Sequence, residues 1–392
     1  MKKRILRYLK HFFGTLLIGG SLFLIIALGF QNNHIRYGNN KLAYNFHQDG
    51  PYIFDQGDTT FSVNYILGSE DTGFSMDTKI VNRKEKVSVE CYYPLDSSKF
   101  TIELLPDFRI PPSTYKDDGK ILAISDIESN FQTFRNFLIQ NKIIDKNLNW
   151  TFGNGHLVLV GDFIDRSYFT TQVLWSIYKL EQEAVKHGGM VHYILGNHEI
   201  MNMQGNHKYA KYKYNLMASV LGKKQYELYD TLSHIGRWMN SKNVVENING
   251  QLFVHGGLAP ELTSLDLTIE EINAFARVNY YQPYYPKKSA PKKERLLLSS
   301  KTAPYWYRGY FKDGINQQAI EESLLKFGGE TVVVGHTIQA KVNRSFQGKV
   351  IGIDVQHPKD YYKYFPKPNA EGLLIQGNRY FRVLHDGTLI EL

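Results

Sequence analysis

The chain has 392 residues, 43% of them hydrophobic and 14% aromatic, enough to bury the core of one large globular domain with an appendage. Its formal net charge is +8, but Lys2, Lys3, Arg4, Arg7 and Lys10 supply five of those charges, and 8 − 5 leaves only +3 elsewhere. So small an excess, with no basic residues interleaved with aromatics on one element, argues against a nucleic-acid partner.

The first predicted element is the uncharged run Phe12 to Phe30, FFGTLLIGGSLFLIIALGF, about long enough to cross a bilayer at 1.5 Å per residue. The basic residues ahead of it favour a cytoplasmic N-terminus, with everything after about residue 31 outside the cytoplasm, on the periplasmic side of an inner membrane. Ala27-Leu28-Gly29 offers a small-residue cleavage site that would release a secreted protein. The run exceeds the usual core of a signal peptide, however, which favours an uncleaved signal-anchor over residues 1–30. The single cysteine, Cys91, excludes an internal disulfide and reads as a small buried hydrophobe.

Residues 31–115 form a β-rich extension. PYIFDQGDTTFSVNYIL, KVSVECYY and FTIELL are aromatic and β-branched runs separated by turn residues. Pro106, Pro111 and Pro112 then mark a break before the main domain, residues 116–392. From Lys120 the texture alternates strand and helix, the pattern of βαβ units around a buried sheet. ILAIS (121–125) predicts a strand, followed by a helix with Ser129 as its N-cap. HLVLV (156–160) predicts a second strand, and a helix through TTQVLWSIYKLEQEAVKH follows it, stopping at Gly188. MVHYIL (190–195) is a third strand. VVEN and QLFVH flank an Asn249-Gly250 hairpin turn. TVVVG (331–335) and KVIGIDV (349–355) are further strands, and a C-terminal meander turns at Gly377-Asn378 and Asp386-Gly387.

The first three main-domain strands each end in a polar cluster: Asp126-Ile127-Glu128, then Gly161-Asp162-Phe163-Ile164-Asp165-Arg166, then Gly196-Asn197-His198-Glu199. His255-Gly256-Gly257 and Gly335-His336-Thr337 end later strands in the same way. The carboxyl ends of strands in an open α/β sheet form the ligand crevice, so five such ends offer oxygen and nitrogen ligands to one spot. Any one cluster alone reads as a solvated loop. The ordered set does not.

GDFIDR, GNHE, HGGL and GHT resemble, in that order, the motifs of calcineurin-like metallophosphoesterases, in particular the bacterial branch near the phosphoprotein Ser/Thr phosphatases. The resemblance covers about residues 120–357 and omits the N-terminal segment. It implies an α/β four-layer sandwich, with two central mixed sheets flanked by helices. It implies a phosphatase that hydrolyses phosphomonoesters, phosphoproteins among them, by attack of a hydroxide bridging two divalent ions. Carried over residue by residue, Asp162 is similar to the bridging carboxylate, Asp126 to a ligand of the first ion, and Asn197, His255 and His336 to ligands of the second. Arg166 and Arg308 resemble the guanidinium clamps for phosphate oxygens. His198 resembles the general acid, with Asp165 orienting its ring.

Two departures stand out. The family's Asp-x-His is Asp126-Ile127-Glu128 here. If the segment is extended, Glu128 points the same way as Asp126 and serves as an oxygen ligand. A carboxylate-rich first site would prefer manganese or magnesium over zinc or iron. The usual Gly-His-x-His ends instead as Gly335-His336-Thr337-Ile338, nearer the protein-phosphatase branch than the phosphodiesterases. Asp354 and His357 follow the last strand and read as supporting residues. QPYYPKKSAPKKERLLLSSK (282–301) reads as a solvated loop, with a lid over an acidic substrate as the alternative, and NHKYAKYKY (206–214) as part of a basic rim. Alternative functions are hydrolysis of nucleotides or dinucleoside polyphosphates, and an envelope binding module whose catalysis has lapsed.

Overall fold

The structure is a computed structural model that describes residues 2–29, 34–43, 48–285, 287, 289–312, 314–366 and 368–392, without the side chains of Leu42 and residues 25–29. The chain falls into two compact units. Residues up to Asn39 together with Tyr362–Pro368 form a small one, and Asn40–Tyr361 with Asn369–Leu392 form a large one.

In the small unit a helix runs over Lys2–Gly29, and the strand Ile35–Tyr37 pairs antiparallel with Lys363–Phe365. The expected membrane segment is not borne out among the described residues, where no helix is long and apolar enough to cross a membrane. Phe30 and the side chains of 25–29 lie outside them.

The large unit is built on two six-stranded mixed sheets. In the first, Ile121–Ile124, His156–Val160 and Met190–Ile194 run parallel, and the C-terminal meander joins them antiparallel through Glu371–Gln376. In the second, Gln251–Val254, Thr331–Val334 and Val350–Gly352 run parallel, and Val245–Ile248 is the antiparallel partner of Gln251–Val254. The expected hairpin turn lies between those last two strands, with φ of 54° at Asn249 and 81° at Gly250, the left-handed pair that Asn-Gly adopts readily. Period-two alternation sends Ile121, Ala123, Val158, Val160, Val333 and Ile351 into one core between the sheets. Phe131–Gln140 and Thr170–Lys186 cover the first sheet, and Ile269–Asn279 packs on the second. The result is the expected α/β layering with mixed sheets.

Ser129 is not the N-cap expected of it. Its φ is 61°, its N–H donates to the Phe163 carbonyl at 2.7 Å, and Asn130 occupies the cap position without a side-chain capping bond. The orphan N–H groups of Gln132 and Thr133 are satisfied from far along the chain by the Asp360 carboxylate, at 2.8 and 3.0 Å.

The β-rich extension folds as a three-stranded sheet, Gln48–Gln56, Thr60–Ser69 and Gly73–Asn82, plus the hairpin Ser88–Tyr93 and Ser98–Glu103. These strands lie in the large unit. The helix Thr170–Lys186 is buried from Thr170 through Tyr178, because the extension covers the face that the sheet does not. Trp175 donates to the Pro51 carbonyl at 2.9 Å and Gln172 to that of Tyr92 at 2.8 Å. The Tyr93 ring packs on Phe131 and Phe169.

The junction includes His234, whose ring stacks on Trp175, meets the edges of Phe61 and Phe108, and accepts the Tyr178 hydroxyl at 3.1 Å. Burial, helped by Arg237 and Arg83, depresses its pKa to about 3. In the unfolded chain it titrates near 6.5. Below that value the unfolded state takes up a proton that the folded state refuses, so stability is lost as pH falls from 6.5 towards 3. The loss at pH 5 is expected to be about 2 kcal/mol from this one group. Thermal unfolding at pH 7.5 and pH 5 should therefore show a smaller drop in Tm for His234→Phe than for the parent chain. An equal drop would remove His234 as the acid-sensitive group.

Candidate functional site

The carboxyl ends of both sets of parallel strands meet at one cavity of about 480 Å³, lined by Asp126, Glu128, Asp162, Arg166, Arg308, Lys312, His336, Thr337, Ile338, Asp354, Val355, Gln356, His357 and Lys359. Its floor depends on residues that leave each strand in left-handed backbone: φ is 53° at Asp126, 56° at Asp162, 71° at Asp165, 55° at Arg166 and 63° at His336. Such geometry costs on the order of 1–3 kcal/mol per residue and gathers where side chains must be aimed at a reaction. Glycines permit close approach here, since a Cβ at Gly196 would collide with Asp162 Oδ1 and one at Gly335 would come within 2.6 Å of Asp126 Oδ2.

Asp162, His255 and His336 each present one donor atom, all within 4.8 Å of one another and all buried. His255 donates Nδ1–H to the Val160 carbonyl at 2.7 Å, which leaves the Nε2 lone pair facing Asp162 Oδ2 at 3.1 Å. Two electron-rich atoms at that distance call for a cation or a proton between them. Burial opposes protonation of His255, but the Asp162 carboxylate outweighs it and lifts the pKa to about 10. His336 lies the other way: burial and the charge on His255 push it down to about 2. Its Nε2–H donates to the Trp306 carbonyl at 3.0 Å, and its Nδ1 lone pair lies 3.4 Å from Arg308 Nη2. Asn197 Oδ1 is buried with no hydrogen-bond partner. An orphaned amide oxygen, two imidazole lone pairs and a shared carboxylate form a donor set that fits a divalent cation.

Asp126 accepts the His336 N–H at 3.1 Å and is raised by burial to about 7. Asp354 is buried beside it, and burial followed by the charge on Asp126 raises its pKa well above the carboxylate range. So acidic a corner also suits a cation. His357 donates Nε2–H to the Ser125 carbonyl at 3.0 Å, and its Nδ1 is buried without a partner.

Beside this floor, His198 Nδ1 bonds Asp165 Oδ2 at 2.8 Å, and Nε2 lies 3.2 Å from Arg166 Nη2. Burial alone would lower the His198 pKa, but Asp162 and Asp165 outweigh it and hold the imidazole protonated up to about 9. Arg308 crosses from the second sheet's side, donating to the His336 carbonyl and lying 3.4 Å from Thr337 Oγ1. Glu199 accepts from the N–H groups of Asp162, Phe163 and Gly196 and from the Tyr193 hydroxyl, so it holds the loops.

Three expectations change. Glu128 is not extended alongside Asp126: its φ is 50°, and its carboxylate is held by Arg166 and Lys359, each at 2.5 Å. Lys213, expected at the basic rim, is buried against Asp49 at 3.1 Å. The 282–301 segment is not a plain loop. Pro286 and Lys288 lie outside the described residues, the helix Lys292–Leu297 follows, and none of its described residues lines the cavity. Asn202 went unread: its amide donates to Asp165 Oδ1 and the His198 carbonyl, both at 2.9 Å. The signal was its position one helical turn after His198.

With this geometry in view, the comparisons with known proteins agree. Residues 119–340 match the calcineurin-like phosphoesterase family, and the chain belongs to that family. Shewanella-like protein phosphatase 1 of Plasmodium berghei is 29% identical over 245 residues, 57% of this chain and 62% of that one, so the match spans less than two thirds of that relative. Shewanella-like protein phosphatase 2 of Arabidopsis thaliana is 25% identical over 63% of this chain and 73% of its own length. The crystal structure of a cold-active protein-tyrosine phosphatase from a psychrophilic Shewanella superposes with a TM-score of 0.76 at 32% identity, covering 88% of this chain and 99% of that one. A match that long takes in part of the segment before residue 119. The enzyme class expected from the sequence, a phosphoric ester hydrolase, is the class of this family.

Proposed function

We propose that the chain is a divalent-cation-dependent phosphatase that cleaves phosphomonoesters of phosphoproteins. The observation that carries this reading is the buried donor set Asp162, His255 and His336, with the orphaned Asn197 oxygen, beside a protonated His198. Asp162, Asn197, His255 and His336 would hold one cation, and Asp126 with Asp162 a second, manganese before magnesium, iron or zinc given the carboxylates. Bound there, the pair would supply Lewis-acid polarisation of the phosphoryl group and a water activated near neutral pH.

The chain's own side chains do the rest. Arg166 and Arg308 grip phosphate oxygens and offset the charge that grows on them. His198 gives its Nε2 proton to the departing oxygen, while Asp165 holds the ring by Nδ1 and Asn202 holds Asp165. His198→Asn is expected to cost about 10²–10⁴-fold in kcat on alkyl phosphates, and much less on p-nitrophenyl phosphate, whose leaving group needs no proton. Equal losses on both substrates would take the acid role away from His198.

An aryl phosphoester fits the rim. Tyr209 is 36% exposed, its ring lies 5.0 Å from that of His198, and Arg166 sits over it, which offers a stacking face to a phosphotyrosine ring. Turnover of phosphotyrosine and phosphoserine peptides, nucleotides and a bis-aryl phosphodiester tests the class. Faster cleavage of nucleotides or the diester than of either peptide would sink it.

We further propose that the large unit acts outside the cytoplasm, held by the N-terminal segment. The charges at Lys2, Lys3, Arg4, Arg7 and Lys10 ahead of the apolar run support this. Protection of the unit from protease added outside spheroplasts would contradict it.

A further inference from the structure

Glu128 lies two residues after Asp126 at the end of the first main-domain strand, and its surroundings give it work other than holding a metal. Its N–H donates to the Asp162 carbonyl at 3.0 Å, and the next N–H, of Ser129, donates to that of Phe163 at 2.7 Å. This pairing coils the segment away from the extended path that would have aimed Glu128 beside Asp126. Both carboxylate oxygens are then engaged, Oε1 by Arg166 Nη1 and Oε2 by Lys359 Nζ, each at 2.5 Å. All three side chains line the cavity that holds Asp126 and Asp162. We infer that Glu128 is a positioning residue which clamps Arg166 and Lys359 side by side as a single receptor for the substrate's phosphate, with Lys359 a phosphate-binding cation in its own right. The inference rests on the phosphatase reading above.

The charge balance supports it. One carboxylate set against a guanidinium and an ammonium leaves a net positive charge, and both cations border the cavity. A dianionic phosphate arriving there meets two donors held at fixed spacing, so less side-chain entropy is lost in gripping it than with free side chains. Arg166 is further restrained. Its backbone N–H donates to the Tyr209 carbonyl at 2.9 Å and its guanidinium lies over the Tyr209 ring, which places Nη2 3.2 Å from His198 Nε2. Glu128 therefore sets the distance between the arginine and the proton donor. A neutral imidazole at residue 128 could not bridge two cations as this carboxylate does.

The test uses the full chain loaded with manganese, with Glu128→Gln, Lys359→Met and the double variant. The readouts are bound metal by elemental analysis, affinity for inorganic phosphate by calorimetry, and kcat and KM on an aryl phosphate. Glu128→Gln should keep the parent's metal content, bind phosphate about tenfold more weakly, and raise KM more than it lowers kcat. Lys359→Met should weaken phosphate binding to a similar degree, and the double variant should lose less than the product of the two, because the residues act as one unit. Loss of a metal equivalent in Glu128→Gln would make the residue a ligand and overturn the inference, as would unchanged phosphate affinity in both single variants. If Glu128→Gln fails to fold, Lys359→Met decides the matter alone. Phosphate binding with this dependence in a chain that hydrolyses no phosphoester would uphold the clamp and refute the phosphatase reading.

Discussion

Asp162→Asn is expected to lower phosphomonoester turnover on the order of 10³-fold, about 4 kcal/mol at the transition state, and to lower bound divalent metal in the same preparation. The side chain stands at the meeting point of the two sheets. Its Oδ1 accepts the His198 N–H at 3.0 Å and its Oδ2 faces His255 at 3.1 Å and His198 Nε2 at 3.6 Å. Burial would raise its pKa, but His255 and His198 outweigh burial and hold it far below the usual carboxylate range. The amide of Asn can still accept the His198 N–H, so the loop geometry survives. What disappears is the charge that both proposed cation positions share and that keeps His198 protonated. Metal content and turnover measured on one sample check this, and retention of both would remove Asp162 from the bridging role.

The second large effect concerns stability, far from the chemistry. Asp49→Ala is expected to destabilise the large unit by about 3–5 kcal/mol, because it leaves a buried ammonium without its counter-charge. Asp49 and Lys213 are 1% and 5% exposed and lie 3.1 Å apart. Tyr52 donates its hydroxyl to Asp49 Oδ2 at 2.7 Å, Gln172 its amide to Oδ1 at 3.2 Å, and Lys213 also donates to the Tyr168 carbonyl at 2.9 Å. Burial works against the Lys213 charge, and Asp49 more than restores it, raising the pKa. The pair joins the β-rich extension to the segment that follows the Gly-Asn-His-Glu helix. Replacing both partners, Asp49→Leu with Lys213→Met, should recover much of the loss, since no uncompensated charge remains. Urea unfolding of the single and double variants measures this. A loss under 1 kcal/mol for Asp49→Ala would show that water reaches Lys213.

The main-domain strands could be read from the sequence because each is a short apolar run closed by a polar or Gly-polar junction, and strand ends in an open sheet face one crevice. Asp126, Asp162, Asn197, His255 and His336 accordingly come from loops that the structure brings together. The misreadings share a cause: each depends on a partner remote in the chain or on a backbone conformation that residue type does not reveal. Nothing local marks Asp360 as the group that satisfies the helix at Phe131, more than 200 residues earlier. Glu128 looked like a ligand because an extended path was assumed, and left-handed φ at Asp126, Glu128 and Ser129 breaks that path. Lys213 sits in a run of lysines and tyrosines that reads as surface, and only the fold of the extension puts Asp49 against it. The helix Thr170–Lys186 has the periodicity of a one-sided helix, yet it is covered on a second side by strands whose packing no motif announces.

The central claim is that these buried donors make the chain a divalent-cation-dependent phosphatase. The most direct measurement is turnover of p-nitrophenyl phosphate by the full chain before chelation, after chelation, and during stepwise restoration of manganese, with bound metal counted in every sample. The account predicts that activity disappears with the metal and returns in proportion to the manganese bound, whereas undiminished turnover by metal-free protein, or no turnover of any phosphoester by fully loaded protein, would contradict it.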